Sequence, residues 1–211
     1  MKVHGRARER ALIAELLDGL AGGAGGAVLL DGPAGIGKST LLDEAASRAA
    51  ASGARVLRAR GYEAEADIPY AGLADLLRPV MEHRERLPDG QRRALEAALA
   101  IVPGAVPGDR YAVPVAVLAL LGLVADDGPL LVAVDDGHWL DPASREAVLF
   151  VAGRLAAQGA AIVVAARDTD GRPIDPAGFE RLTLGPLPRE SALAVLADDA
   201  ALAPDVAEAL V

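Results

Sequence analysis

Short runs of consecutive apolar residues alternate along this chain with longer stretches in which apolar residues recur every three or four positions. The clearest runs cover residues 27–30, 130–134 and 160–166. Uninterrupted runs of this length are typical of parallel strands buried on both faces, and the stretches between them have the period of helices. The alternation predicts an α/β fold, with helices packed on a parallel sheet.

Two weaker patterns complete the predicted sheet. Residues 55–59 alternate between polar and apolar side chains, as strands near a sheet edge do, and residues 181–184 form a fifth strand. The turn at 185–188, Gly-Pro-Leu-Pro, is followed by helical pattern only. We therefore expect one α/β domain over residues 1–185 and the beginning of a small helical unit over residues 186–211.

Helices are predicted in the intervals between the strands. The first has apolar residues at positions 12, 13, 16, 17 and 20 and ends in the glycine-rich segment 22–26. A Pro/Gly-rich turn at 103–109 separates two later helices. The other predicted helices cover residues 38–51, the region around 73–80, and residues 94–102, 111–125, 142–157, 190–197 and 204–211.

Composition and charge narrow the functional classes. Of the 211 residues, 52% are hydrophobic, which is enough for a large core. The formal net charge is −9, which disfavours strong binding of this chain alone to the phosphate backbone of DNA. Residues 84–93 carry both signs of charge. That mixture is typical of a solvated connection between helices, with a nucleic-acid patch as the alternative.

We expect a cytoplasmic location without membrane association, because three kinds of signal are missing from the sequence. Cysteine is absent, which excludes a disulfide framework and a cysteine metal site. The first ten residues contain no apolar signal core. The apolar run at 113–125 is interrupted by Pro114 and Gly122 and is too short to span a bilayer.

The segment after the first strand has the spacing of a phosphate-binding loop, Gly32-x-x-x-x-Gly37-Lys38-Ser39. A strand precedes it and a helix begins at about Lys38, which is the required context; a glycine-rich turn with a surface lysine is the alternative. The glycines let backbone N–H groups face phosphate oxygens, Lys38 adds charge at the β/γ-phosphates, and Ser39 is a Mg²⁺ ligand. We interpret Thr40 as a helix residue and not as a second metal ligand. The predicted nucleotide contacts here are Gly32, Pro33, Ala34, Gly35, Ile36, Gly37, Lys38, Ser39 and Thr40.

The apolar run at 130–134 ends in two carboxylates, Asp135 and Asp136. Parallel strands deliver such residues to the carboxyl edge of the sheet, where ligands of open α/β sheets bind. This Walker B pattern predicts that Asp135 holds Mg²⁺, mostly through water. Asp136 occupies the place where many related ATPases have a glutamate that orients the attacking water. Because aspartate is one methylene shorter, we expect slow hydrolysis.

The loop after the two carboxylates contains three further candidates. His138 is either a plain loop residue, which is the ordinary interpretation, or a catalytic or sensing group. Trp139 is expected to be buried against the sheet. Asp141 with Pro142 next to it predicts a helix N-cap followed by proline at the first helical position.

Arg167 directly follows the predicted strand at 160–166. In this fold type, a cation at the end of a core strand beside the phosphate-loop strand can reach the γ-phosphate. A surface ion pair with Asp168 or Asp170 is the alternative, and residue type alone does not separate the two.

Four groups of residues together carry a family resemblance. They are Gly5-Arg6-x-x-Glu9, the loop at 32–39, Asp-Asp-Gly-His-Trp-Leu-Asp-Pro-Ala-Ser-Arg at 135–145, and Ala-Ala-Arg at 165–167 with Leu-x-Leu-Gly-Pro-Leu at 182–187. The chain resembles the nucleotide-binding domain of signal-transduction ATPases with numerous domains (STAND), a branch related to AAA+ ATPases. More closely, it resembles the N-terminal ATPase region of the large ATP-binding regulators of the LuxR family.

The resemblance implies roles for residues at both ends of the chain. The segment 3–6 is similar to the family's adenine-contacting box, so Val3, Gly5 and Arg6 are predicted nucleotide contacts; His4 departs from the apolar residue usual there. Arg167 resembles the strand-end arginine that senses the γ-phosphate. No arginine finger is recognisable, and this branch generally lacks one. The predicted catalytic residues are thus Lys38, Asp136 and Arg167, and the predicted metal ligands are Ser39 and Asp135.

The resemblance also implies an architecture, the three-layer αβα sandwich of P-loop NTPases with a five-stranded parallel sheet and the start of a helical lid. The phosphate-loop strand is expected to be central, with the Arg167 strand beside it and the Asp135 strand next. The lid motif, a winged-helix unit, a helical-repeat sensor and a C-terminal helix-turn-helix are expected beyond Val211. The chain is therefore interpreted as an excised domain or a natural fragment.

The function expected from these observations is a Mg²⁺-dependent signalling switch that binds ATP or ADP and hydrolyses slowly. In a transcriptional regulator, DNA would be reached only through a helix-turn-helix outside this chain. An unknown effector or protein partner and nucleotide-dependent self-association are also expected. The alternatives are the same module fused to a cyclase or kinase, a turnover enzyme with a second-substrate pocket, and direct DNA binding, which the charge of −9 disfavours.

Overall fold

The computed structural model describes residues 4–101, 111–167, 174–175 and 177–197, which form a parallel sheet with helices on both faces. The strands are β1 (Gly26–Asp31), β2 (Arg55–Arg60), β3 (Leu130–Asp135), β4 (Ala160–Ala166) and β5 (Glu180–Thr183). The helices are α1 (Ala7–Ala21), α2 (Lys38–Ala51), α3 (Ala71–Leu77), α4 (Asp89–Ala98), α5 (Ala112–Asp126), α6 (Pro142–Leu155) and α7 (Arg189–Ala197). Short 3-10 helices occupy Glu63–Glu65, Arg78–Arg86, Gly137–Trp139 and Ala156–Gln158.

The sheet has the strand order β2-β3-β4-β1-β5, and all neighbouring strands are parallel. Each predicted strand is present, with ends that differ by at most one residue. The predicted fold class is therefore confirmed, as is the sequence of strands from β1 through β4 to β3. β1 is an interior strand between β4 and β5, while β4 is the middle one of the five. β2 lies at the edge, as its alternating pattern predicts.

Two hydrophobic cores lie on the two faces of the sheet, because successive side chains of a strand point to opposite sides. In β3, Leu130, Val132 and Val134 join the core formed with α3, α5 and α6. Leu131 and Ala133 join the core formed with α1 and α2. This use of both faces explains why the strand reads as one apolar run and not as an alternation.

The helix predicted at 94–102 is α4, which begins earlier, at Asp89, and ends at Ala98. The prediction was wrong at its end because Ala100 adopts a left-handed backbone with φ 52°. The Ala100 N–H donates to the Ala97 carbonyl at 3.2 Å and the Ile101 N–H to the Glu96 carbonyl at 2.9 Å. These two bonds form a Schellman C-cap, which normally has glycine at the left-handed position. Because alanine stands there instead of glycine, the sequence did not indicate that the helix ends at this point.

The charged segment 84–93 folds as the end of the 3-10 helix Arg78–Arg86, a short turn and the beginning of α4. Two of its arginines are paired with carboxylates of the same chain: Arg86 with Asp127 at 3.2 Å and Arg92 with Asp89 at 3.0 Å. Such pairing favours a solvated connection over a nucleic-acid patch.

Several predictions concern residues outside the described part of the chain. These are the contact of Val3, the turn at 103–109, the pairing of Arg167 with Asp168 or Asp170, and the helix at 204–211. The predicted helix at 190–197 is present as α7, and the domain boundary before it stays a prediction. Among the residues described, no helix combines the length and apolar character needed to cross a membrane.

Candidate functional site

The predicted phosphate-binding loop connects β1 to α2 at the carboxyl edge of the sheet. Gly35 and Gly37 have φ of 73° and 98°, values that side-chain-bearing residues rarely adopt. Gly32 also has a positive φ, 150°, and in addition a Cβ there would lie 2.8 Å from the Leu184 carbonyl oxygen. The Leu184 N–H in turn donates to the Asp31 carbonyl at 2.7 Å. The first residue of the loop is therefore in direct contact with the chain that leaves β5.

Lys38 lies inside the loop, with 7% of its surface exposed. Its Nζ donates to the carbonyl oxygens of Gly32 and Pro33, at 2.8 Å in both cases. The predicted phosphate-binding cation is thus held by the backbone of its own loop. Oxygens of a bound phosphate would replace or supplement these carbonyl partners.

Charges converge around the Lys38 ammonium. Burial lowers the pKa of Lys38, and the positive charge of Arg167 lowers it further. The carboxylates of Asp136, Asp31 and Asp135 act in the opposite direction. Two cations close enough to repel each other, beside a glycine-rich loop at a helix N-terminus, form a site that an anion would stabilise.

Ser39 and Asp135 meet across the carboxyl edge of the sheet, although they are 96 positions apart in sequence. The Ser39 hydroxyl donates to the Asp135 Oδ1 at 3.0 Å, and the same oxygen accepts the backbone N–H of Asp136 at 2.9 Å. A hydroxyl and a carboxylate at this separation fit Mg²⁺, which prefers oxygen ligands and keeps several waters. The two residues predicted as metal ligands are therefore brought together.

The Asp136 carboxylate is ion-paired with Arg60, a residue that sequence reasoning did not identify. Arg60 lies at the end of β2, in register with Asp135 of β3. Its Nη2 and Nε donate to the Asp136 Oδ2 at 2.8 and 3.1 Å. The sequence offered one indication of this ion pair: the alternation of polar and apolar side chains over 55–60 places Arg60 at the end of a strand. It points to Asp136 only if β2 is also assumed to pair with β3. Asp136 itself has a left-handed backbone, with φ 47°.

Gly61 determines how closely the β2 end approaches the carboxylate loop. Its N–H donates to the Asp135 carbonyl at 2.9 Å. A Cβ at this position would lie 2.3 Å from the Asp136 carbonyl oxygen and 2.8 Å from the Leu140 nitrogen. Only glycine allows this contact, which brings Arg60 within reach of Asp136.

Arg167 follows the end of β4 and lines a cavity of about 250 Å³ together with residues of the phosphate loop. Lys38, Asp136 and Arg60 border the same cavity. All three predicted catalytic residues therefore face one space. Their catalytic roles stay predictions.

The predicted adenine-contacting box lies beside the loop at its other end. The Arg6 Nη2 donates to the Ile36 carbonyl at 2.9 Å. Gly5 packs against α7 and the turn before it, since a Cβ on Gly5 would lie 2.9 Å from the Ser191 Oγ and 3.3 Å from Leu187. Gly5 and Arg6 thus lie between the phosphate loop and the last described helix.

The loop after the carboxylates differs from the prediction at Trp139, which was expected to be buried against the sheet and is only half-buried. His138, predicted as an ordinary loop residue, is fully buried within a 3-10 turn, and its ring centroid is 5.2 Å from that of Trp139. Asp141 caps α6 as predicted, accepting the Ser144 N–H at 2.9 Å. Sequence reasoning missed a second contact, in which Asp141 also accepts the Tyr70 N–H at 2.9 Å.

A phosphate-type loop after an interior parallel strand, with a carboxylate strand two positions away in the sheet, defines the class of P-loop ATPases. Residues 2–164 match the family model described as AAA ATPase domain. The chain belongs to this family.

Solved structures share the fold. Cdc6p from Pyrobaculum aerophilum superposes with a TM-score of 0.61 at 15% identity, over 98% of this chain and 54% of that one. AMPPCP-bound DnaA from Aquifex aeolicus gives a TM-score of 0.56 at 14% identity, over 99% and 57%. A STAND protein with a tetratricopeptide repeat sensor from Pyrococcus horikoshii gives 0.52 at 17% identity, over 98% and 27%.

A curated relative matches in sequence. It is an uncharacterized protein of Rhizobium meliloti (strain 1021), 30% identical over 222 residues. The match covers 86% of this chain but only 20% of the relative. The chain therefore spans about a fifth of that relative and roughly a quarter to a half of the similar structures.

Proposed function

We propose that this ATPase domain is an ATP/ADP-binding, Mg²⁺-dependent switch, and that it belongs to a STAND-type transcriptional regulator of the LuxR family. The observation that carries the proposal is the convergence of Lys38, Arg167 and Asp136 on one cavity beside the phosphate loop. Two cations and the inward-facing N–H groups suit a triphosphate. The similarity to the STAND structure with a repeat sensor supports the fold alone. The assignment to the STAND branch is supported by the Asp-Asp-x-x-Trp-x-Asp segment at 135–141.

In this proposal each residue has a defined task. Lys38 moves from the carbonyls of its loop to the β/γ-phosphates, and Arg167 contacts the γ-phosphate. Ser39 and Asp135 hold the metal, which when bound neutralises phosphate charge. Loss of the γ-phosphate would leave Arg167 without its ligand partner, and this difference between ATP and ADP states is what a switch transmits.

Slow hydrolysis follows from the state of Asp136. Its side chain is short for a water-orienting residue, and Arg60 holds its Oδ2. A carboxylate engaged in an ion pair is a poorer acceptor for the proton of an attacking water. The nucleotide is therefore expected to be held longer than in a turnover enzyme.

The remaining parts of the proposal concern the whole protein. A domain with a net charge of −9 leaves DNA binding to a separate helix-turn-helix. An effector or protein partner, and nucleotide-dependent self-association, would couple the bound nucleotide to that output. A cyclase or kinase output is the alternative for the same module.

The first test compares ATP binding by the wild type and Lys38→Ala using isothermal titration calorimetry with Mg²⁺. Charge-assisted hydrogen bonds contribute about 1.5–3 kcal/mol, so we expect roughly 10- to 100-fold weaker binding. Arg48→Ala is the control, because it removes one positive charge from the exposed far end of the same helix. Equal affinity of the wild type and Lys38→Ala would contradict the proposal.

A further inference from the structure

The geometry points to a role for Arg6 at the phosphate end of the nucleotide: we infer that Arg6 is a positioning residue that holds the phosphate-binding loop in its anion-binding shape. This inference rests on the proposed nucleotide-binding function and specifies how one residue serves it. It assigns to Arg6 an effect on affinity that does not depend on the base.

The Arg6 guanidinium contacts the loop directly. Its Nη2 donates to the Ile36 carbonyl at 2.9 Å, and only 8% of the side chain is exposed. The Nη1 lies 3.5 Å from Glu9 Oε1, which partly balances the charge. Among the described residues, the buried guanidinium therefore has both a backbone partner and a carboxylate partner that restrain it.

The carbonyl that Arg6 holds belongs to the tightest part of the loop. Ile36 lies between Gly35 and Gly37, both with left-handed backbones. Alternation of this kind turns N–H groups to one side and carbonyl groups to the other. A carbonyl that rotated toward the anion would repel it. By donating to the Ile36 carbonyl, Arg6 opposes that rotation.

The backbone of the N-terminal segment is shaped for this contact. Gly5 and Arg6 both have left-handed conformations, with φ of 65° and 58°. A non-glycine residue at positive φ is unfavourable and persists where other contacts compensate for it. Here the compensation is α1, whose first turn begins with the Arg10 N–H donating to the Arg6 carbonyl at 2.9 Å.

A matched control is present one helical turn later. Arg10 binds Glu44 through Nε at 2.8 Å and Nη2 at 2.7 Å, which ties α1 to α2. The described contacts of Arg10 do not include the loop. Loss of Arg10 therefore weakens the attachment of α1, whereas loss of Arg6 removes the support of the loop as well.

The test measures binding of two probes, Mg-ATP and inorganic tripolyphosphate with Mg²⁺, to the full chain by calorimetry. We expect Arg6→Ala to weaken both by the same factor, about tenfold for a hydrogen bond from a charged group. Arg6→Lys keeps the positive charge and can still donate one hydrogen bond to the Ile36 carbonyl. We therefore expect it to recover part of the affinity for both probes. Arg10→Ala leaves both affinities within about twofold of the wild type.

Three outcomes overturn the inference. A loss for Mg-ATP with unchanged tripolyphosphate binding assigns Arg6 to the base, and unchanged binding of both probes removes its role. Equal losses in Arg6→Ala and Arg10→Ala would reduce the effect to attachment of α1. If Arg6→Ala does not fold, the affinities of Arg6→Lys for Mg-ATP and for tripolyphosphate are compared in the same way, and equal losses for the two probes support the inference. Failure of the wild type to bind either probe contradicts the proposed function itself.

Discussion

At the scale of single residues, the charged side chains of the candidate site are already paired with protein groups. Lys38 donates to loop carbonyls, Ser39 to Asp135, and Arg60 to Asp136. Each contact uses atoms that a nucleotide or its metal would need in the proposed function. Ligand binding is then an exchange of hydrogen-bond partners, whose net free energy is smaller than that of the new bonds alone.

The Arg60–Asp136 pair leads to a prediction about hydrolysis. Arg60→Ala removes the partner of Asp136, so we expect a faster steady-state rate of ATP hydrolysis, measured as phosphate release. Arg60 is 56% exposed, and an ion pair of that kind contributes at most about 1 kcal/mol. The increase in kcat is therefore no more than about fivefold. Asp136→Asn in the same background should abolish the increase.

Arg58→Ala is the matched control for Arg60→Ala. Arg58 lies on the same strand and pairs with Asp43 of α2, away from Asp136. Its loss should leave kcat unchanged. A lower kcat in Arg60→Ala, with Arg58→Ala unaffected, would instead mean that Arg60 stabilises the phosphate charge directly.

At the scale of elements, Asp141 joins two helices through one carboxylate. It accepts the N–H of Ser144 in the first turn of α6 and the N–H of Tyr70 directly before α3. The Gly72 N–H is a weaker donor at 3.4 Å. Because Asp141 is 1% exposed, water does not replace these bonds if the carboxylate is lost.

We expect Asp141→Ala to lower the free energy of unfolding by about 2–4 kcal/mol. The estimate combines an N-cap of about 1 kcal/mol with a buried N–H left unsatisfied, at about 1–3 kcal/mol. Urea unfolding followed by circular dichroism measures the change. Asp141→Asn keeps one carbonyl acceptor and should lose less. A loss of only about 1 kcal/mol in Asp141→Ala, which the N-cap alone accounts for, would show that the second contact has no energetic role.

The elements also show how far the sequence predicts this structure. β1, β3 and β4 were predictable to within a residue, because each is a short apolar run bounded by turn residues. β2 was predictable from the alternation of its side chains. The end of α4 was not, since Ala100 takes a conformation that glycine normally signals. The Arg60–Asp136 pair joins residues 76 positions apart, and no local pattern encodes such a contact. Lys38, Ser39 and Asp135 were predictable because their spacing is a motif in its own right.

At the scale of the whole molecule, stability and binding are located at opposite ends of the strands. The candidate site lies at the carboxyl end of β3, beside Asp135. At the other end, Asp127 accepts from His83 Nε2 at 2.9 Å and from Arg86 at 3.2 Å, joining the 3-10 helix Arg78–Arg86 to the end of α5. The strand between them measures roughly 20 Å. Changes at Asp127 should therefore affect folding without affecting the site.

This separation gives a pH-dependent prediction. The hydrogen bond from His83, assisted by the charge of Arg86, lowers the pKa of Asp127. The ionised carboxylate thus stabilises the fold above its unfolded pKa of about 3.9, and the contribution is lost as the pH falls through the lower folded value. Asp127→Asn should be less stable than the wild type at about pH 5, and the difference should close progressively below about pH 4. Urea midpoints across this range measure it.

Two results would contradict that prediction. A stability difference that stays constant down to about pH 2 would mean that Asp127 acts through packing and not through its charge. A change in ATP affinity of Asp127→Asn, measured at neutral pH, would mean that the two ends of the sheet are coupled.

The contact between Gly32 and Leu184 has a mechanical consequence. The Leu184 N–H donates to the last residue of β1, and the Leu184 carbonyl lies against the first residue of the phosphate loop. A shift of the loop on a change of ligand would therefore act directly on the segment between β5 and α7. Because Gly5 packs against Leu187 and Ser191, the same shift would also reach the segment before α1.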